Sequence, residues 1–255
     1  MITHHVDDPR WNDAIVTGFF TPDYEPLAIA FSQNLVAHGV PHMLYDVPAS
    51  AWENAILLKP MIVSRAMSDN PGKTIILMDI DCVISGDIAD AARFEGDMSL
   101  CLWARFKFNY GSNKSRLRVL PSSRIIAFKQ TAPAKTLIEN WSTLCAQYKR
   151  TSVQTDDEQI LMLALGVTDG LSINNIHKRF IARDPEYATP ESVILHYSAH
   201  GKTMALTNAK RLKTLKRRLL TALLGRPYPN RDKFQTRGFV DTLRSPPTTD
   251  EGAPL

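Results

Sequence analysis

Cysteine is scarce in this chain. Its 255 residues include three, Cys82, Cys101 and Cys145, and no two stand in a Cys-x-x-Cys spacing. Thiolate zinc sites are built from such pairs, so none is expected. An odd count also provides no disulfide framework and fits a reducing compartment. No stretch reaches the roughly 18 uninterrupted apolar residues of a membrane-spanning helix. Residues 1–13 contain no apolar run of the secretory type. A cytoplasmic location is the default expectation. A broad basic face is lacking too. The net charge is +4, and the excess sits in residues 210–218, which hold Lys210, Arg211, Lys213, Lys216, Arg217 and Arg218 without an acid. The remainder is close to neutral, so no nucleic-acid partner is expected.

What is present suits one large α/β domain with appendages. Hydrophobic residues make up 44% of the chain, enough for a core. Residues 14–20 form an apolar run of strand type ended by Thr21-Pro22. Residues 25–38 carry apolar side chains at helical spacing and stop at Gly39. Residues 40–47 then predict a second strand. This β-α-β order is the signal of a parallel sheet. Pro60, after Lys59, fits the first turn of a helix running to the turn signal Asn70-Pro71-Gly72. Residues 74–81, TIILMDID, predict a strand buried on both faces that ends in carboxylates. Residues 98–104 and 124–129 predict further strands, with a long polar and basic loop over 106–123 between them. Helices are expected from Pro133, with Leu137, Trp141, Leu144 and Cys145 inward, and over 157–166, closed by Gly166. Residues 192–202 predict a strand running into a turn.

Asp79 and Asp81 are placed where open α/β sheets bind ligands, outside the carboxyl end of a strand. Strand alternation would point both side chains the same way. Two carboxylates so placed repel, and a cation between them removes the cost. Mg²⁺ and Mn²⁺ accept carboxylate and phosphate oxygens together, so a diphosphate is the natural third party. Simple solvation of both acids on an exposed loop is the alternative, and the apolar run before them counts against it.

At this point the chain resembles the GT-A nucleotide-diphospho-sugar transferases, whose Rossmann-like sheet carries a DxD motif. The likeness rests on an ordered series over residues 12–203: TGFFTPDY, Lys59-Pro60, ILMDIDCVI, SSRIIAFKQT, NWSTLC, DDEQILMLAL and HYSAHGK. It implies a mainly parallel sheet flanked by helices, and hexose transfer from a nucleotide diphosphate to a hydroxyl of a glycan or glycolipid, with a UDP-sugar as the favoured donor. It further implies Mn²⁺ or Mg²⁺ on Asp79, Asp81 and His196, with Asp79 also contacting the nucleotide and Lys202 contacting the diphosphate. Asp156, Asp157 and Gln159 match the motif facing sugar and acceptor. Asp157 fits a general base in an inverting reaction, and Gln159 a group under the anomeric carbon in a retaining one; both stand at this point. Either acid also suits a helix cap. Thr17 and Tyr24 are candidates for the base, Lys59 for phosphate or sugar, and Arg65 reads better as an exposed helix charge. The family often has Ser-Gly where this chain has Ser122-Ser123, and a tryptophan after the terminal lysine that is missing here.

The catalytic domain is expected over residues 1–206, a C-terminal basic amphipathic helix over 207–225, and a tail without fixed structure over 226–255. Leu212, Leu215, Leu219 and Leu223 form a stripe that fits equally an anionic membrane surface or the helix's own domain. Two rivals are carried forward. In a haloacid-dehalogenase-type phosphatase, Asp79 would be the nucleophile and Asp81 the acid/base, although that motif sits on a first strand and here a β-α-β unit precedes it. A nucleotide-sugar-binding domain without transfer activity is the other.

Overall fold

A computed structural model of the chain describes residues 1–49, 52–109, 114–151, 157–185, 188–197 and 234–235. Asp156, Lys202 and the helix expected over 208–224 lie outside them. In chain order the structure has β1 (Ile2–His4), β2 (Ala14–Phe20), α1 (Glu25–Ala37), β3 (His42–Asp46), α2 (Trp52–Ala55), α3 (Lys59–Asp69), β4 (Thr74–Met78) and β5 (Cys82–Ile84). Then follow β6 (Met98–Asn109), β7 (Lys114–Phe128), α4 (Ala132–Thr151), α5 (Asp157–Gly166), β8 (Ile173–Asn175), β9 (Ile194–His196) and β10 (Phe234–Gln235). The central sheet runs β1-β3-β2-β4-β7-β6-β10, with β8 also beside β6. Strands β3, β2, β4, β6 and β8 point one way; β1, β7 and β10 oppose them. The fold is therefore α/β with a mainly parallel sheet flanked by helices, as the sequence led us to expect.

Side-chain alternation sorts the core into two layers. Val16, Leu44, Ile76 and Met78 face one side, where they meet Ala28, Phe31 and Leu35 of α1. Ile15, Tyr45, Ile75 and Leu77 face the other, where they meet α3, α4 and α5. The apolar run of β4 is buried at every position because it has a layer on each side. Helix α1 stops where expected: Gly39 takes a φ of 63°, a left-handed conformation that glycine adopts without strain.

Two expectations are corrected. Strand β4 ends at Met78, so Asp79 and Asp81 do not alternate along a strand. They belong to a tight turn closed by Cys82 N donating to Asp79 O at 3.0 Å. The long loop expected over 106–123 is also replaced, by a β-hairpin. Strands β6 and β7 pair from Leu102↔Pro121 out to Asn109↔Lys114. The alternation was there to read, in Arg-Phe-Lys-Phe over 105–108 and Arg-Leu-Arg-Val over 116–119. Its basic residues gave it the composition of a loop, but a period of two is the stronger signal. Strand β10, in the segment expected to lack structure, pairs Phe234 with Ala104 and Gln235 with Trp103.

Candidate active site

The turn after β4 opens at the carboxyl edge of the parallel strands. Three backbone bonds hold it there. Asp79 N donates to Arg124 O at 3.0 Å, Cys82 N closes the turn, and Tyr197 N donates to Asp81 O at 2.9 Å. Strand β5 leaves the turn and pairs antiparallel with β9, setting Cys82 opposite His196. This small sheet brings a histidine more than a hundred residues away against the carboxylates. Oxygen and nitrogen atoms of Asp79, Asp81 and His196 all lie within 4.8 Å of one another. Around a cation with bonds of about 2.1 Å, opposite ligands stand about 4.2 Å apart, so the cluster needs only a small contraction to close on one. Carboxylate and imidazole are also suitable donors for Mn²⁺ and similar ions. The residues fit a divalent cation.

Beneath the carboxylates lies Lys59, 4% exposed. Its Nζ is 2.9 Å from Asp79 Oδ1 and 2.8 Å from Asp157 Oδ2. It also donates to Ser123 Oγ at 3.0 Å and to Ser123 O at 3.2 Å. Burial alone would lower its proton affinity, but Asp157 and Asp79 outweigh that and hold the ammonium above its ordinary value. Burial pushes the Asp79 carboxyl up, with Asp81 adding to the effect and Lys59 opposing it. A cation beside Asp79 would relieve this repulsion. Burial would likewise lower His196, but its hydrogen bonds to Asp184 and Asp81 prevail and push it up to about 9.

The acid at the start of α5 is engaged on both oxygens. Asp157 Oδ2 accepts from Ser123 Oγ at 2.7 Å and from Lys59, and Oδ1 accepts from Glu158 N at 3.0 Å. It caps the helix and anchors it to Lys59. Gln159 is exposed on the same helix, about 200° around from Asp157, and the structure does not bring it into the cluster. Tyr24 is half-buried beside the site. Burial raises its phenol, followed by the charges of Asp23 and Asp81. Thr17 is not at the site surface: it is 0% exposed, and its hydroxyl donates to Met43 O at 2.9 Å. Arg65 turns to the far side, over the Tyr45 ring at 4.8 Å.

Sequence reasoning missed Ser123, Arg124 and Asp184. The β6–β7 register slips between Leu100↔Ile126 and Leu102↔Pro121, setting Ser122 to Ile125 against Cys101 alone. Pro121, which has no N–H for a ladder, sits at this irregularity. The bulge places Ser123 at Lys59 and Arg124 at Asp184. The proline just before the strand predicted over 124–129 could have flagged it. Nothing around Asp184 in the sequence marks it.

No protein-family model matches the chain, and no curated protein matches it. Among solved structures the chain is similar in fold to a glycosyltransferase involved in glycosylation of the major capsid of PBCV-1, at 10% identity and a TM-score of 0.48, over 79% of this chain and 99% of that one. It is also similar to glycosyltransferase GlyE of Streptococcus pneumoniae TIGR4, at 14% identity and a TM-score of 0.47, over 76% of this chain and 56% of that one. A third similar structure is galactosyltransferase LgtC, at 11% identity and a TM-score of 0.45, over 72% of this chain and 87% of that one. At such identities a fold hosts many chemistries, and the residues of the site decide among them.

Proposed function

We propose that the protein is a divalent-cation-dependent glycosyltransferase that moves a hexose from a nucleotide-diphosphate sugar to a hydroxyl. The observation that carries the reading is the Asp79, Asp81 and His196 cluster at the carboxyl edge of the parallel strands. A cation bound there would neutralise the charge that develops on a departing diphosphate. Lys59 holds Asp79 from below through their ion pair, and through Asp157 it ties the start of α5 to the same point. Asp157 is thus an anchor in this reading, and Tyr24 flanks the donor's entry. Gln159 stays a candidate for the sugar from the exposed face of α5.

The finer assignments belong to the same proposal. Mn²⁺ suits the imidazole ligand better than Mg²⁺ does. The family resemblance favours a UDP-sugar donor, Lys202 on the diphosphate and a glycan or glycolipid acceptor. The leucine stripe over 208–224 suits contact with an anionic membrane from the cytoplasmic side. No helix among the described residues is long and apolar enough to cross a membrane. The phosphatase rival is weakened by the order of elements, because β2, α1 and β3 all precede β4. Its acid/base would also have to work while Asp81 is held by His196 at 3.2 Å.

Calorimetry of UDP and GDP, with and without Mn²⁺, on wild type and Asp81→Ala tests the reading. Binding of one nucleotide that needs Mn²⁺ and is lost in the variant is expected. Absence of nucleotide binding, together with Mg²⁺-dependent hydrolysis of a phosphate ester, would overturn it in favour of the phosphatase.

A further inference from the structure

The two nitrogens of His196 have different neighbours. Nε2 faces the carboxylate cluster, 3.2 Å from Asp81 Oδ1. Nδ1 faces away from it, 3.2 Å from Asp184 Oδ1. The same Asp184 oxygen takes the guanidinium of Arg124 at 2.9 Å. The backbone builds this contact. Arg183 bridges to Leu195 in parallel register, Arg183 N donates to Ile194 O at 3.2 Å, and His196 N donates to Arg183 O at 2.8 Å. Asp184 is thereby laid alongside the end of β9. Arg124 completes the frame from the other side. Its carbonyl accepts the amide of Asp79, while its guanidinium holds Asp184 and the carbonyl of Ala182 at 3.3 Å. One residue ties two of the three clustered side chains to a common support.

We propose that Asp184, seated by Arg124, is a positioning residue that fixes His196 for a divalent cation at Asp79 and Asp81. The inference rests on the reading of that cluster as a cation site. By accepting the Nδ1 proton, Asp184 sets the ring's angle, so that Nε2, once its own proton is displaced by the cation, offers its lone pair at the carboxylates. A histidine that donates its second N–H to a carboxylate is also a more basic ligand. An aspartate serving only to anchor its loop would need Arg124 and the backbone, but not the imidazole.

The test is Mn²⁺ titration calorimetry on the full chain, wild type against Asp184→Ala, with ¹⁵N spectra of the His196 ring in Zn²⁺-loaded wild type. The alanine variant is expected to bind Mn²⁺ about 10–100-fold more weakly while still unfolding cooperatively. Asp184→Asn, whose amide oxygen can still accept, is expected to recover part of the loss. Wild-type affinity in a folded Asp184→Ala protein would overturn the inference and leave the cation site standing. The ring spectra are expected to show the proton on Nδ1. A proton on Nε2 would overturn the inference even if the alanine variant failed to fold. Failure of wild type itself to bind Mn²⁺ would remove the cation site, and this inference with it.

Discussion

A buried ammonium is stable only while its partners are present, and Lys59 has two. Replacing it with methionine keeps the length and apolar stem but leaves Asp79 and Asp157 facing each other in the interior. Removing one partner of a buried ion network costs about 3–5 kcal/mol. Lys59→Met should lose stability on that scale in denaturant unfolding; a loss below about 1 kcal/mol would mean the network behaves like an exposed pair. His42 is a second residue with a measurable signature. Its Nδ1 lies 2.9 Å from Val40 O and its Nε2 2.7 Å from Ser32 Oγ, so a neutral ring protonated on Nδ1 satisfies both. Burial holds its proton affinity below the ordinary value of 6.5, and nearby His4 adds to this against the pull of the Val40 carbonyl. Below that pH the unfolded chain takes up a proton that the folded chain refuses, so this residue's contribution falls as pH drops. The stability difference between wild type and His42→Gln should therefore shrink from about pH 7 to about pH 5. A difference that is flat or grows on acidification would count against a neutral buried ring.

Elements meet at their backbones here as well as through side chains. Gly18 in β2 is one such case. A Cβ at this position would stand 2.8 Å from the carbonyl oxygen of Met78, the residue before Asp79, and 3.4 Å from Ile80 Cγ2 and Leu44 Cδ2. The obstacle at 2.8 Å is backbone, so β2 and the end of β4 would have to separate. Gly18→Ala should cost about 1–3 kcal/mol, as overpacking does. It should also weaken Mn²⁺ binding, because the displaced carbonyl leads straight into the Asp79 turn. A variant with unchanged stability and unchanged Mn²⁺ affinity would show that the strands have room. The turn's other flank is pinned by Asn34 of α1, whose amide donates to Ile84 O at 3.0 Å and accepts from Ile84 N at 2.8 Å. Helix α1 is thus bonded directly to β5, and through it to the β5–β9 pair.

Across the whole molecule the three cysteines report on integrity. Cys82, Cys101 and Cys145 are 1%, 0% and 4% exposed, and all are free thiols. Burial pushes the Cys145 thiol up to about 12, with Asp157 adding, and lifts Cys82 well above its usual range. Reaction needs both a thiolate and access; burial denies access to all three and disfavours the thiolate at Cys82 and Cys145. Maleimide labelling of the native protein should be very slow and should accelerate for all three positions together as denaturant opens the fold. Rapid labelling of one cysteine in the native state would mean that its layer opens separately.

Local pattern alone determined much of this protein. The period of α1, the proline at the start of α3 and the unbroken apolar run of β4 are all short-range facts, and the structure has each element where they put it; the carboxylates after β4 were as visible, but lie in a turn and not on the strand. The hairpin of β6 and β7 was equally local, but composition obscured its alternation. What only the tertiary structure decided is who faces whom. Lys59 reads as a candidate for phosphate or sugar near a helix start, and it is a buried bridge because α3 packs its first turn under the end of β4. Thr17 reads as a candidate for the base, and it is enclosed because β3 lies beside β2. Asp184 and Arg124 carry no mark in the chain, since their partners lie 12 and 60 residues away respectively and only the β9 pairing and the β7 bulge bring them together. Charge partnership depends on distance in space, and a sequence records only distance along the chain.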